Sequence, residues 1–405
     1  MTQGTIRTIS RVEFIALMAM LSATVAFSID AMLPAMPVIA ADLTPDLPNR
    51  VQLVITSFVF GMGIGTFFTG PLSDTFGRKP VMIAGTIVYM AATLVAWRAQ
   101  SLEVMLAARV VQGLGASGPR VVAMAVIRDK FKGRDMARII SFVMIVFTLV
   151  PAFAPTLGAG IIALAGWRGI FLSFLVFSVI SVMWLALRLP ETLQDDQRRD
   201  LRLRRLMSAT REVFANKTTR LSTYVQALSF TMLFATLSTT QQVFDKAYGE
   251  GTHFHLWFGV IAIFGGSAGF LNAKLVVRLG MRALIKAMLS VQIAAASIMA
   301  LSLWLGIDGA ISFWIYVVWC ITIFFQAGMT IGNLNALAME PMGHIAGLAA
   351  SVVSATATIG GAVFAIPIAF TFDGTAFPVA IGVLVCAAVA RLITGRIERD
   401  QPSQP

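Results

Sequence analysis

The sequence predicts an all-α membrane protein, with twelve transmembrane helices arranged as two pseudo-symmetric six-helix bundles. Three observations lead there. The 405 residues are 57% hydrophobic and 13% charged, with a mean hydropathy of +0.81, whereas soluble domains carry about 25% charged residues. Apolar runs near the roughly 20 residues that cross a ~30 Å hydrocarbon core recur along the whole chain. The basic residues also segregate by side.

The runs lie near 14–36, 51–71, 80–97, 103–127, 138–163, 168–189, 221–240, 256–277, 284–305, 311–335, 345–370 and 375–393. The first is too long for the apolar region of a signal peptide, about 7 to 15 residues, and no A-x-A site separates it from the second, so it is expected to remain as a span. With the amino terminus in the cytoplasm, Arg50, Arg98, Arg168 and Lys246 fall outside and Arg109 and Arg120 fall within spans. The rest of the 31 Lys and Arg face the cytoplasm, as the positive-inside rule requires, and both termini then lie on that side. The net charge of +11 therefore reads as topology rather than as nucleic-acid binding. Cys320 and Cys386 fall inside spans and read as apolar packing residues, not as a disulfide.

The longest polar stretch, 190–220, follows the sixth run near the middle of the chain. It divides a bundle over 1–189 from one over 221–405. Arg202, Arg204, Arg205 and Arg211 within it suit either a contact with anionic lipid head groups or simply the charge that fixes topology. An internal repeat supports the division. Gly77-Arg78-Lys79 after the second span is echoed by Gly280-Met281-Arg282 after the eighth, and Gly133 and Ser141 before the fifth by Gly343 and Ser351 before the eleventh. Duplicated halves are a transporter architecture, with the substrate site near the midplane between them.

Residues 70–80, GPLSDTFGRKP, occupy the short cytoplasmic loop after the second span. Gly70 and Gly77 permit close helix approach and a tight turn. Asp74 and Arg78 are expected to form charge-assisted bonds across the interface of the halves, with Asp129 as a further member. This loop resembles the major facilitator superfamily signature G-x-x-x-D-x-x-G-R-[RK], in full. The resemblance implies the major facilitator fold and a conformational latch built from Gly70, Asp74, Gly77, Arg78, Lys79 and Asp129. SIDAMLPAMP at 28–37 and NALAMEPMGHIAGLAAS at 335–351 are similar to the bicyclomycin and chloramphenicol resistance (Bcr/CflA) branch of twelve-helix drug:proton antiporters. RVVQGLGAS at 109–117 resembles the R-x-x-Q-G motif of proton-coupled members, whose arginine, here Arg109, is thought to influence proton transfer. In the fifth span, Pro151 and the run Ala154-Pro155-Thr156-Leu157-Gly158-Ala159 resemble the antiporter motif G-P-x-x-G-G, with two glycines replaced by alanine.

Asp30 is the one acid inside any span away from its ends. A buried charge costs several kcal/mol unless neutralised or paired, so an ionisable residue within a span marks function, and Asp30 is the expected proton carrier. At about 1.5 Å per residue, Asp30 lies roughly 24 Å from the cytoplasmic start of its span, and Arg109 lies roughly 9 Å deep from the other side. Their similar depth allows an Asp30–Arg109 pairing. The alternative is a wetted Asp30 that caps the kink before Pro34 and Pro37. Arg120 follows Arg109 by three helical turns on nearly one face. It suits an anionic substrate group or a cytoplasmic-side carboxylate, or, following Pro119, it snorkels to the cytoplasm.

Phe230, Met232 and Phe234 suit a cavity for varied apolar ligands. Gln112, Gln226, Gln241, Asn333 and Asn335 suit substrate hydrogen bonds or contacts between helices. Taken together, the motifs imply a proton-coupled exporter of small, amphipathic or antibiotic-like compounds in a bacterial inner membrane. The alternative is a transporter dedicated to one metabolite. The expected partners are substrate, protons and membrane lipid, and the family resemblance implies a monomer. No phosphate loop is present, so an ion gradient is the expected energy source, without a cofactor. His253, His255 and His344 lie in loops or at span ends without metal-ligand spacing, and no nucleophile with a partnered base stands out, so neither a metal site nor an enzyme is expected.

Overall fold

The computed structural model describes residues 9–198 and 203–399. Arg202 of the basic linker lies outside them. The first half contains α1 (Arg11–Asp30), α2 (Met36–Leu43), α3 (Leu53–Phe76), α4 (Arg78–Trp97), α5 (Leu102–Lys130) and α6 (Gly133–Arg188). The short α7 (Leu203–Ala215) leads to the second half: α8 (Lys217–Lys246), α9 (Phe254–Gly266), α10 (Ala268–Leu279), α11 (Met281–Trp304), α12 (Gly309–Met339), α13 (Ala346–Phe370) and α14 (Phe377–Arg399).

Among the described residues, nine helical stretches are long and apolar enough to cross a membrane. Two of them are double length. Gly133–Arg188 turns back at Gly166, whose φ of 66° interrupts the helix, and Gly309–Phe370 is broken by the 3₁₀ segment Glu340–Ile345. The stretch missing from the nine is α8. Its 30 residues include Thr, Ser and Gln side chains from Thr219 to Gln242 that are buried against protein rather than lipid, and these lower its hydropathy. Resolved in this way, the helices are consistent with the expected twelve spans.

The repeat seen in the sequence is also structural. Gly77 and Gly280 both take positive φ, 100° and 79°, at the starts of α4 and α11, a conformation that disfavours other residues. The arginine after each pairs with a carboxylate at the far end of a neighbouring helix: Arg78 with Asp129 at 2.9 Å, and Arg282 with Glu340 at 3.3 Å.

The halves meet along α3 and α13. Near the start of α3, Asn49 donates to the Phe372 carbonyl at 2.8 Å and Gln52 to the Gln242 side-chain oxygen at 2.5 Å. Near the end of α3, a Cβ added at Gly70 would lie 2.7 Å from the Ser351 hydroxyl. The linker helix α7 is amphipathic. Leu206, Ala209 and Val213 are buried, the first and last of them against Met342, Ala349, Val352 and Val353, while Arg204, Arg205 and Arg211 are exposed.

Candidate functional site: a buried carboxylate and its surroundings

The α1 helix ends at Asp30 because Pro34 and Pro37 follow. Each proline lacks an N–H and disfavours helix in the residue before it. The chain passes through a short 3₁₀ turn, Leu33–Ala35, and resumes as α2. Asp30 thus sits at a break inside the bundle, only 5% exposed, and is the only buried carboxylate among the described residues. It has no ion pair there. On the opposite side of the break lies Gly158, where an added Cβ would strike the Ala31 carbonyl. The retained glycine of the antiporter-type segment is thus what lets α6 close on the break beside Asp30. Pro155 and Ala154 are buried one turn before it, and Pro151 is half-buried.

Arg109 is fully buried and satisfied without Asp30. Its guanidinium donates to the Val54 carbonyl at 3.0 Å, the Gln112 side-chain oxygen at 2.7 Å and the Ser28 carbonyl at 3.1 Å, and it lies 4.4 Å from the Phe58 ring centre. The Asp30–Arg109 pairing is therefore not formed in this structure. Arg109 instead ties α5 to the backbones of α1 and α3, two residues away from Asp30. Gln112 passes the chain of bonds on to Thr93 at 2.7 Å, and Ser28 bonds the Tyr89 hydroxyl at 2.6 Å. Arg109, Gln112, Ser28 and Tyr89 are each at most 1% exposed, so Gln112 serves this network rather than an open cavity.

The loop residues form a compact cluster. Arg78 pairs with Asp74 at 2.5 Å and with Asp129 at 2.9 Å and donates to the Ser73 hydroxyl at 2.8 Å. Lys79 donates to the Ala186 carbonyl at 2.7 Å. All of these partners belong to the first half, which corrects the expectation that Asp74 and Arg78 would bond across the interface of the halves. The physical reason is the length of α3: its last turn carries Asp74 past the α13 contact to the start of α4.

Glu191, just after α6, was not singled out from the sequence. It accepts from the backbone N–H groups of Arg78 and Lys79, both at 3.0 Å, and from those of Thr192 and Leu193 at 2.8 and 2.9 Å. Its carboxylate therefore caps the positive end of α4. Partial burial opposes its ionisation, but these four donors outweigh burial and hold its pKa below the ordinary value. The only sequence signal for it is an acid directly after a helix-ending Pro190.

Of the other candidates, Arg120 is half-buried and, among the described residues, donates only to the Met62 sulfur at 3.3 Å. Phe230 and Phe234 stack with ring centres 5.2 Å apart and planes 7° from parallel. Met232 is fully buried in the core. Asn333 donates to the Asn272 side chain and to the Met329 carbonyl, both at 2.8 Å, and so joins α12 to α10. Side-chain oxygens of Gln226, Gln241 and Asn335 are buried without a partner. Among the described residues, no His, Cys, Asp and Glu group suits a metal ion.

The family model of the Major Facilitator Superfamily matches residues 16–365. The bicyclomycin resistance protein homolog of Haemophilus influenzae is 28% identical over 94% of both chains. Multidrug resistance protein D of Escherichia coli is 27% identical over 80% of this chain and 81% of that one. Among solved structures, the D-xylose-proton symporter superposes with a TM-score of 0.76, covering 94% of this chain and 97% of the other. The xylose transporter of E. coli, in a partially occluded inward-open conformation, gives 0.74 over 96% and 97%. At 13% and 12% identity these two establish the fold alone. A signature loop folded as an ion-pair cluster, repeated halves that each place an arginine on a carboxylate, and a matching family model over most of the chain lead to one conclusion: this chain belongs to the Major Facilitator Superfamily.

Proposed function

We propose that this protein is a proton-coupled exporter of small, amphipathic or antibiotic-like compounds. It works by alternating access between a bundle over 1–189 and one over 221–405, joined by the linker 190–220. It resides as a monomer in a bacterial inner membrane with both termini cytoplasmic, and the proton gradient supplies its energy without a cofactor. Asp30 is the observation that carries this reading. It is a lone carboxylate, buried and unpaired at the break between α1 and α2, where Gly158 brings α6 against the chain.

An ionisable group inside a span marks function. Access to Asp30 from the outside in one state and from the cytoplasm in the other lets it take up and release a proton in each cycle. The relatives named for bicyclomycin and multidrug resistance support export. The cluster of Asp74, Arg78 and Asp129, with Gly70, Gly77 and Lys79, acts as the conformational latch by holding the cytoplasmic ends of α3, α4 and α5 as one body. Phe230 and Phe234 supply an apolar surface for substrate.

The test is accumulation of fluorescent dyes and antibiotics in efflux-deficient cells expressing wild type or Asp30→Asn at equal surface levels, with and without protonophore. Lower accumulation of at least one compound by wild type alone, abolished by protonophore, is the expected result. Equal accumulation in wild-type and empty cells for every compound rejects a broad exporter and favours a dedicated metabolite carrier.

A further inference from the structure

Among the described residues, Arg120 lies inside a span without a carboxylate or other oxygen acceptor for its charge. Arg78 has two carboxylates and a hydroxyl, and Arg109 has three oxygen acceptors and an aromatic face. Arg120 has only the Met62 sulfur, a weak acceptor, among the described residues. A guanidinium away from water and without an anion is costly, and such groups in membrane spans face the interior and meet a partner there.

Position excludes an escape to the cytoplasm. Arg120 lies ten residues before the cytoplasmic end of α5, about 15 Å at 1.5 Å per residue. Long side chains on a helix lean toward its N-terminus, here away from the cytoplasm, and the Met62 contact fixes that direction. Met62 is nine residues into α3 from its non-cytoplasmic start, so the guanidinium lies near mid-depth, below head-group level. Arg120 shares its helix face with Arg109, which points to α1 and α3. Beside Met62, a Cβ added at Gly63 would lie 2.7 Å from Ile359 of α13 in the second half. Arg120 therefore reaches the side chain next to the point where α3 meets α13, close to the seam between the two halves.

We infer that Arg120 is the anchor for an anionic group, a carboxylate, phosphate or sulfonate, on the transported compound. The site is mid-membrane, built by α5 and α3 of the first half and faced by α13 of the second. The word "transported" rests on the exporter reading, whereas the anion site does not.

Anisotropy titrations of purified protein in phosphatidylcholine nanodiscs separate the two, because binding needs no proton gradient. The probes are carboxyfluorescein, an anionic xanthene, and rhodamine 6G, a cationic one. The expected result is that wild type binds carboxyfluorescein, that Arg120→Gln weakens this about tenfold or more, and that Arg120→Lys retains most of it. Rhodamine 6G binding stays unchanged or tightens in Arg120→Gln. Failure of wild type to bind carboxyfluorescein, equal binding by Arg120→Gln, or parallel loss of both dyes overturns the assignment. Selective binding that persists in a protein unable to move any dye against a proton gradient contradicts the exporter reading and leaves the anion site standing.

Discussion

Asp30 and Gly158 face each other across a break that two prolines impose. Asp30→Asn keeps the size of the side chain and removes its titration. The expected outcome is normal folding with proton-driven transport reduced at least about tenfold, the scale of losing an essential proton-transfer group, measured as dye uptake into inverted vesicles. Gly158→Val places branched carbon on the Ala31 carbonyl, so α6 cannot close on the break. Transport should fall similarly while rhodamine 6G still binds. Arg109→Ala should act differently, because it leaves the buried Gln112 side-chain oxygen without its donor and cuts the bonds to the Val54 and Ser28 carbonyls. The orphaned oxygen costs about 1 to 3 kcal/mol, so a drop in melting temperature should accompany any loss of transport.

At the scale of elements, the start of α4 is fixed by Gly77, Arg78 and the Glu191 carboxylate. A carboxylate at a helix N-terminus contributes about 0.3 to 1 kcal/mol. Glu191→Gln should therefore lower the melting temperature of the purified protein by about 1 °C or less at pH 7. Because the folded state holds this pKa low, the contribution is present above the ordinary carboxylate range and is lost as pH falls through the folded value. The gap between wild type and Glu191→Gln should close on acidification, which a pH series of melting curves measures. Glu191 was invisible in the sequence because its role comes from folding residue 191 back onto residues 78 and 79. Asp30 and the 70–80 loop were legible because a charge in an apolar run and a full motif are local signals. The breaks at Gly166 and near Glu340 were legible for the same reason. Gln112 was legible as a polar residue suited to substrate or to a contact between helices, but its bonds to Arg109 and Thr93 depend on how the helices pack and were not legible. The polar face of α8 could be read as residues, but its burial against neighbouring helices could not.

For the whole molecule, the proposed coupling through Asp30, the only buried carboxylate among the described residues, predicts one proton per cycle. Export of a neutral compound then moves one net charge inward, export of a monovalent cation moves none, and export of a monovalent anion held by Arg120 moves two. Each net charge gains about 2.3 kcal/mol per 100 mV. Collapse of the membrane potential with valinomycin and potassium, at constant pH gradient, should slow export of neutral and anionic compounds and leave that of monovalent cations unchanged.

Coupling through Asp30 is tested most directly in proteoliposomes with a pH-sensitive dye inside, where an exported compound is added as a concentration gradient and proton flux is recorded. The expected result is a counter-directed proton flux in wild type. Asp30→Asn should show none, while still exchanging labelled for unlabelled compound at zero gradient. Proton flux in Asp30→Asn at the wild-type rate would contradict the account.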